Sequence, residues 1–150
     1  MIGQALCLLG LVIFTVLIHG VGTLGAVELL ARFWHRRYHH ALMKALIIVR
    51  LICMLLLLHL AETGLWAMFY MGIDLFPDAE TALYFSLTSY TTVGYGDVVL
   101  PDHWRLFGPV EAAVGILMFG WSTAFLVAAL TRMFGDHLNI ALGTTIEHQN

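Results

Sequence analysis

The chain has 150 residues, 60% of them hydrophobic and 11% charged, with a formal net charge of -3 and a mean hydropathy of +0.85. Soluble domains carry about 25% charged residues, so this composition excludes an ordinary soluble globule and indicates an integral membrane protein. No basic cluster dense enough for nucleic acid is present, and Cys7 and Cys53 both lie in apolar runs, as packing thiols rather than a disulfide framework or a metal-type pair.

Ala5 to Val27 contains no charged residue, and about 20 apolar residues cross a bilayer. This predicts a first transmembrane helix. A signal peptide would need a basic start, which Met1-Ile2-Gly3-Gln4 does not supply. His19, inside this span, reads as a hydrogen-bonded packing residue. A basic connector follows, with Arg32, Arg36, Arg37, Lys44 and Arg50; Trp34 and Tyr38 suit the headgroup level. His35 and His39 share a helical face with His40 beside them, a pattern that fits interfacial residues better than a metal site.

Leu51 to Met71 reads as the second span. Its one charged residue is Glu62, with His59 a turn earlier on the same face. An ionised carboxylate at that depth costs on the order of 3 kcal/mol on insertion scales. Glu62 therefore faces protein, as a buried hydrogen-bonding brace or, with His59, as a proton-sensing gate. After the loop Gly72–Asp78, Asp78 can cap a helix from about Ala79 to Tyr90. That helix is too short to span, so it must be re-entrant and buried by protein. Its C-terminal end, equivalent to roughly half a negative charge, then points toward the inner side of the membrane.

Thr91-Thr92-Val93-Gly94-Tyr95-Gly96-Asp97 comes next. For successive backbone carbonyls to face one axis, the chain must leave ordinary strand geometry, and Gly94 and Gly96 permit this. The run resembles the selectivity filter of potassium channels, T-V-G-Y-G followed by an acid. The resemblance implies that carbonyls of Thr92, Val93, Gly94 and Tyr95, with Gly96 completing the turn and the Thr92 hydroxyl adding an inner ring, replace the hydration shell of K⁺. One copy per chain implies a cyclic homotetramer.

Beyond the compact connection Val98–Arg105, Phe107 to Leu130 reads as the last span, interrupted by Glu111 and closed by Arg132. Gly120, Ala124 and Ala128 repeat every four residues, a pattern for close helix approach. By the positive-inside rule the connector and the segment after Arg132 are cytoplasmic, which puts the N-terminus outside. Asp74, Asp78, Glu80, Asp97 and Asp102 then gather on the outer side against Arg105, a vestibule that concentrates cations. Residues 135–150 form a short polar tail.

From Lys44 to Phe134 the chain resembles a two-helix pore domain of bacterial ion channels. His103-Trp104-Arg105-Leu106 and Phe119-Gly120-Trp121-Ser122-Thr123-Ala124 look like a group of small bacterial channels with an added N-terminal helix. The resemblance implies a glycine hinge at Gly115, or at Gly120, in the inner helix. It also exposes a departure: Thr88 stands where well-known channels carry a carboxylate behind the filter. Tyr84 is at the position of an aromatic donor to Asp97, and Glu62 or Glu111 can restore a buried acid from another helix. Expected, then, is an all-α membrane protein with three transmembrane helices, a re-entrant pore helix and a filter loop. Its segments are an N-terminal helix (1–30), a basic connector (31–44), a pore domain (45–134) and a tail (135–150). The expected activity is passive K⁺ conduction by a lipid-embedded homotetramer of the inner (plasma) membrane, with K⁺ as the bound ion. The alternatives are a weakly selective cation channel and a non-conducting subunit or sensor. No enzyme motif accompanies the intramembrane acids, and the tail is too short for a ligand-binding domain. Gating falls to the filter, an inner-helix bend, His59 and Glu62, tension or a separate regulatory partner.

Overall fold

A computed structural model describes the backbone of residues 2–34 and 41–141, and side chains over 2–31 and 42–134. The histidine cluster His35, His39 and His40, most of the basic connector and the end of the tail lie outside the described residues. The order is α1 (Ile2–Trp34), α2 (Ala41–Gly72), α3 (Ala79–Tyr90), a 3-10 turn (Asp102–Trp104) and α4 (Phe107–Ala141). Ile2–Ala31, Leu42–Gly72 and Asp102–Phe134 are each long and apolar enough to cross a membrane.

Local chemistry accounts for the breaks. Asp78 adopts an extended conformation (φ -151°) and accepts the Thr81 N–H at 2.7 Å, satisfying one of the free donors that begin α3. Its carboxyl is held below the ordinary range mainly by that backbone bond. Pro109 lies in the first turn of α4, where a missing N–H removes no helix bond. α4 continues as helix to Ala141, through the first part of the segment read as a polar tail.

α1 runs beside α2 and α4, and the two ends of the bundle are pinned by different chemistry. At one end the Gln4 amide donates to the His103 carbonyl at 2.8 Å. At the other, Lys44 Nζ reaches the Met133 carbonyl at 3.4 Å and sits 5.1 Å from the centre of the Phe134 ring. Asp74, Asp78, Asp97, Asp102 and Arg105 therefore gather at one end, while Lys44 lies at the opposite one. Leu11, Trp66, Tyr70, Phe85, Leu100 and Phe107 pack near the first end; Ala26, Leu51 and Ala129 pack near the second.

Lipid removes the hydrophobic drive between helices, so packing and polar contacts must hold them together. Gly22 of α1 lies against Leu58 of α2, where an added Cβ would come within 2.5 Å of a Leu58 methyl. Gly120, Ala124 and Ala128 all face away from the chain's own helices, so the expected close approach at that repeat does not occur within one chain. Its place is taken by Gly22 and Gly115.

Trp66 Nε1 donates to Thr15 Oγ1 at 3.0 Å, joining α2 to α1 with both groups buried. Thr15→Val keeps the shape but leaves the indole N–H without an acceptor in an apolar medium. We expect a loss of about 1 kcal/mol in α1 docking, visible as a lower melting temperature in detergent, whereas Cys7→Ala at an exposed position leaves melting unchanged.

Candidate ion-conduction site

The loop after α3 folds back on the last helical turn. Thr91 N–H donates to Leu87 O at 3.1 Å, Thr92 N–H to Ser89 O at 2.9 Å and Gly94 N–H to Thr88 O at 3.0 Å. Three alternate residues have positive φ: Thr92 (64°), Gly94 (51°) and Gly96 (77°). A regular strand points neighbouring carbonyls to opposite sides. Alternating left- and right-handed residues turns them toward the same side, the arrangement a ring of ion ligands requires. The two glycines adopt this geometry freely. Thr92 is β-branched and does not, so the fold holds strain at the first position of the run. Sequence reasoning assigned the unusual backbone to Gly94 and Gly96 alone.

Thr91 through Asp97 are all exposed in the single chain. Val93 is 50% and Tyr95 73% exposed, apolar surface that their own chain leaves open. Tyr84 Oη donates to Asp97 Oδ2 at 2.7 Å, and Asp97 Oδ1 accepts the Val98 N–H at 3.1 Å. The tyrosine bond, first among the causes, holds the Asp97 carboxyl below its ordinary value of 3.8. The same bond raises the Tyr84 phenol. A depressed folded-state value adds stability above the ordinary carboxyl range and loses it as pH falls through the lower folded value. Tyr84→Phe should therefore raise the Asp97 pKa toward 3.8, measured by carboxyl-carbon NMR titration. An unchanged value would show that the phenol does not hold Asp97.

Behind the loop, a groove of 360 Å³ is lined by residues including Thr88, Ser89, Thr92, Arg105 and Pro109. Thr88 Oγ1 turns back to the Phe85 carbonyl at 3.0 Å rather than toward Asp97. The intramembrane acids sit deeper, on the buried side of α3. Glu111 of α4 is fully buried and accepts from Tyr70 Oη at 2.7 Å. It also contacts Ser86 Oγ, which donates to the Thr63 carbonyl at 2.8 Å. Ser86 has one proton, so both of its contacts are hydrogen bonds only when Glu111 supplies the second. Glu62 of α2, also fully buried, accepts from Tyr90 Oη at the last residue of α3. Neither acid has a hydrogen bond to Asp97; each is tied to the helix that presents the loop.

His19 Nδ1 lies 2.8 Å from Glu62 Oε1, and His59 Nδ1 lies 3.3 Å from Glu62 Oε2. Ser122 of α4 completes the group. His19, Tyr70, Ser86 and Tyr90 were not recognised from the sequence as partners of these acids, nor Ser122 as the partner of the two histidines. Their common signal is polarity inside an apolar span; their pairing depends on how the helices cross. Gly115 meets Tyr90 closely, since an added Cβ would lie 2.1 Å from the Tyr90 carbonyl oxygen, whereas Gly120 has nothing within 4 Å of its added Cβ.

Three long apolar helices and a short, capped helix ahead of a glycine loop define an ion-channel pore unit. The sequence profile of the ion channel family matches residues 54–132, more than half of the chain, and the protein belongs to that family; it is a channel-family protein and not an enzyme. No curated protein and no solved structure is similar enough to add to this comparison.

Proposed function

We propose that four copies of this chain form a K⁺-selective channel, with Thr92, Val93, Gly94, Tyr95 and Gly96 lining the filter and K⁺ held by the carbonyls of Thr92 to Tyr95. The observation that carries this reading is the alternation of positive φ at Thr92, Gly94 and Gly96. It lies in a loop whose residues, Thr91 to Asp97, are all exposed in the single chain. Four copies around an axis bring four sets of carbonyls together and give Val93 and Tyr95 neighbours to pack against. Asp97, Tyr84, Thr88, Glu62 and Glu111 support the filter, the last two through α3. Gating, in this reading, draws on the inner helix at Gly115 or Gly120.

The orientation follows the charges. Lys44, Arg50 and Arg132 mark the cytoplasmic side of the inner membrane, and the acids from Asp74 to Asp102 form the outer mouth, with the N-terminus outside. The test is flux into liposomes carrying the purified protein. A K⁺ gradient should drive current that Na⁺ does not replace. Equal K⁺ and Na⁺ flux would favour a weakly selective cation channel, and no flux across pH and membrane tension would favour a non-conducting subunit. K⁺ should also raise the melting temperature of the tetramer, because ions that bind only the assembled filter stabilise it by mass action.

A further inference from the structure

We propose that His19, His59 and Glu62 form a binding site for a transition-metal dication of the zinc class, tying α1 to α2 beside the end of the pore helix. All three residues are buried, and one donor atom from each lies within 4.8 Å of the others. Their closest pairs are 2.8 Å and 3.3 Å apart. Donors around a tetrahedral zinc stand about 3.4 Å apart, so closing a set already within 4.8 Å requires no pair to shorten by more than about 1.5 Å. Two imidazole nitrogens and one carboxylate oxygen suit zinc and its neighbours, not K⁺ or Mg²⁺, which prefer oxygen.

The hydrogen bonds around the three donors can hold them in the form that ligates a cation. Ser122 Oγ sits between the far nitrogens, 3.3 Å from His19 Nε2 and 3.1 Å from His59 Nε2. A serine hydroxyl has two lone pairs and can accept from both rings. With both Nε2 atoms protonated, both Nδ1 atoms are bare and face Glu62, the tautomer that metal ligation requires. In that tautomer a dication at the centre is ligated by both nitrogens and by the carboxylate. With two neutral rings and no metal, Ser122 can instead accept from one ring and donate to the other. Where His19 donates to Glu62, the His59 Nδ1 lone pair lies 3.3 Å from both Glu62 Oε2 and Tyr90 Oη, and that hydroxyl can serve either acceptor when no metal is bound.

The elements involved give the site its consequence. His19 comes from α1, His59 and Glu62 from α2, the supporting Ser122 from α4, and the carboxylate is oriented by Tyr90 at the end of α3. A metal there would clamp the N-terminal helix onto the pore unit. Access is through His59, which keeps 7% exposure and is covered by the Phe119 ring at a centroid distance of 4.2 Å.

The test reads metal, not current, so it succeeds or fails independently of K⁺ conduction. Tag-free protein in detergent is dialysed against buffered Zn²⁺ and the metal per chain is measured; Co²⁺ is then substituted to read its visible spectrum. One Zn²⁺ per chain and the intense bands of tetrahedral Co²⁺ are expected. His19→Gln and Glu62→Gln should each weaken binding by at least about tenfold, and Ser122→Ala, which keeps all three donors, by about tenfold. A triple His35→Ala, His39→Ala, His40→Ala variant should bind as the parent does. Absence of stoichiometric Zn²⁺, its loss in the triple variant, or unchanged affinity in His19→Gln and Glu62→Gln overturns the site. Should His19→Gln or Glu62→Gln fail to assemble, unchanged affinity in Ser122→Ala does so equally.

Discussion

Gly115→Ala is expected to force α4 away from the pore helix and to destabilise the protein more than a methyl added at any other glycine among the described residues. The new Cβ would stand 2.1 Å from the carbonyl oxygen of Tyr90 and 3.0 Å from its carbonyl carbon. Those are backbone atoms at the C-terminal residue of α3, so no side-chain rotation relieves the contact. Overpacking in a well-filled core costs about 1–3 kcal/mol, and a contact this short against backbone belongs at the upper end. The displacement would also pass directly into Thr92, two residues further on, and disturb the Tyr90–Glu62 bond. Melting in detergent and the yield of assembled protein are the measurements. Gly120→Ala is the matched control, because nothing lies within 4 Å of its added Cβ. If Gly115→Ala melts with the parent, the close packing of α4 on Tyr90 is wrong.

Gly94→Ala or Gly96→Ala should remove K⁺ flux while leaving the three long helices intact. The glycines have φ of 51° and 77°, where an L side chain costs about 1–2 kcal/mol. In a tetramer the penalty applies four times around one ring, about 4–8 kcal/mol in all. The loop can relieve it by rotating a peptide, which turns a carbonyl away from the axis and removes an ion ligand. Flux in liposomes should fall to the level of protein-free vesicles, and helix content by circular dichroism should not change. Retained flux with unaltered preference for K⁺ over Na⁺ would falsify the carbonyl-ring reading while leaving family membership untouched.

Much of the architecture was legible because the bilayer constrains it so strongly. Ala5–Val27 had to be helical once it was long, apolar and uncharged, since lipid offers no partner for a free backbone group. The capped helix from Ala79 to Tyr90 was legible for a local reason: Asp78 bonds to an N–H three residues away. Helix ends were less clear. α4 runs on to Ala141, beyond the apolar stretch, because a helix already nucleated by its membrane-spanning part extends at little cost.

The chain by itself also determined the ion-channel class, because Thr91–Asp97 encodes a backbone conformation through glycine placement, and that information is local. Partnership between helices is not local. Glu62 was paired with His59 from the sequence, but only the crossing of α1 over α2 decided that His19, read alone as a hydrogen-bonded packing residue, also bonds to it. The packing of α4 against α2 and α3 decided that Glu111 meets Tyr70 and Ser86, and neither acid has a hydrogen bond to Asp97. Only the tertiary structure gave Gly115 a backbone carbonyl to lie against and left Gly120 facing outward. The physical reason is common to all of these. A buried polar group in lipid must be satisfied, which the sequence states; which group satisfies it depends on the rotation and depth of each helix, which packing alone decides.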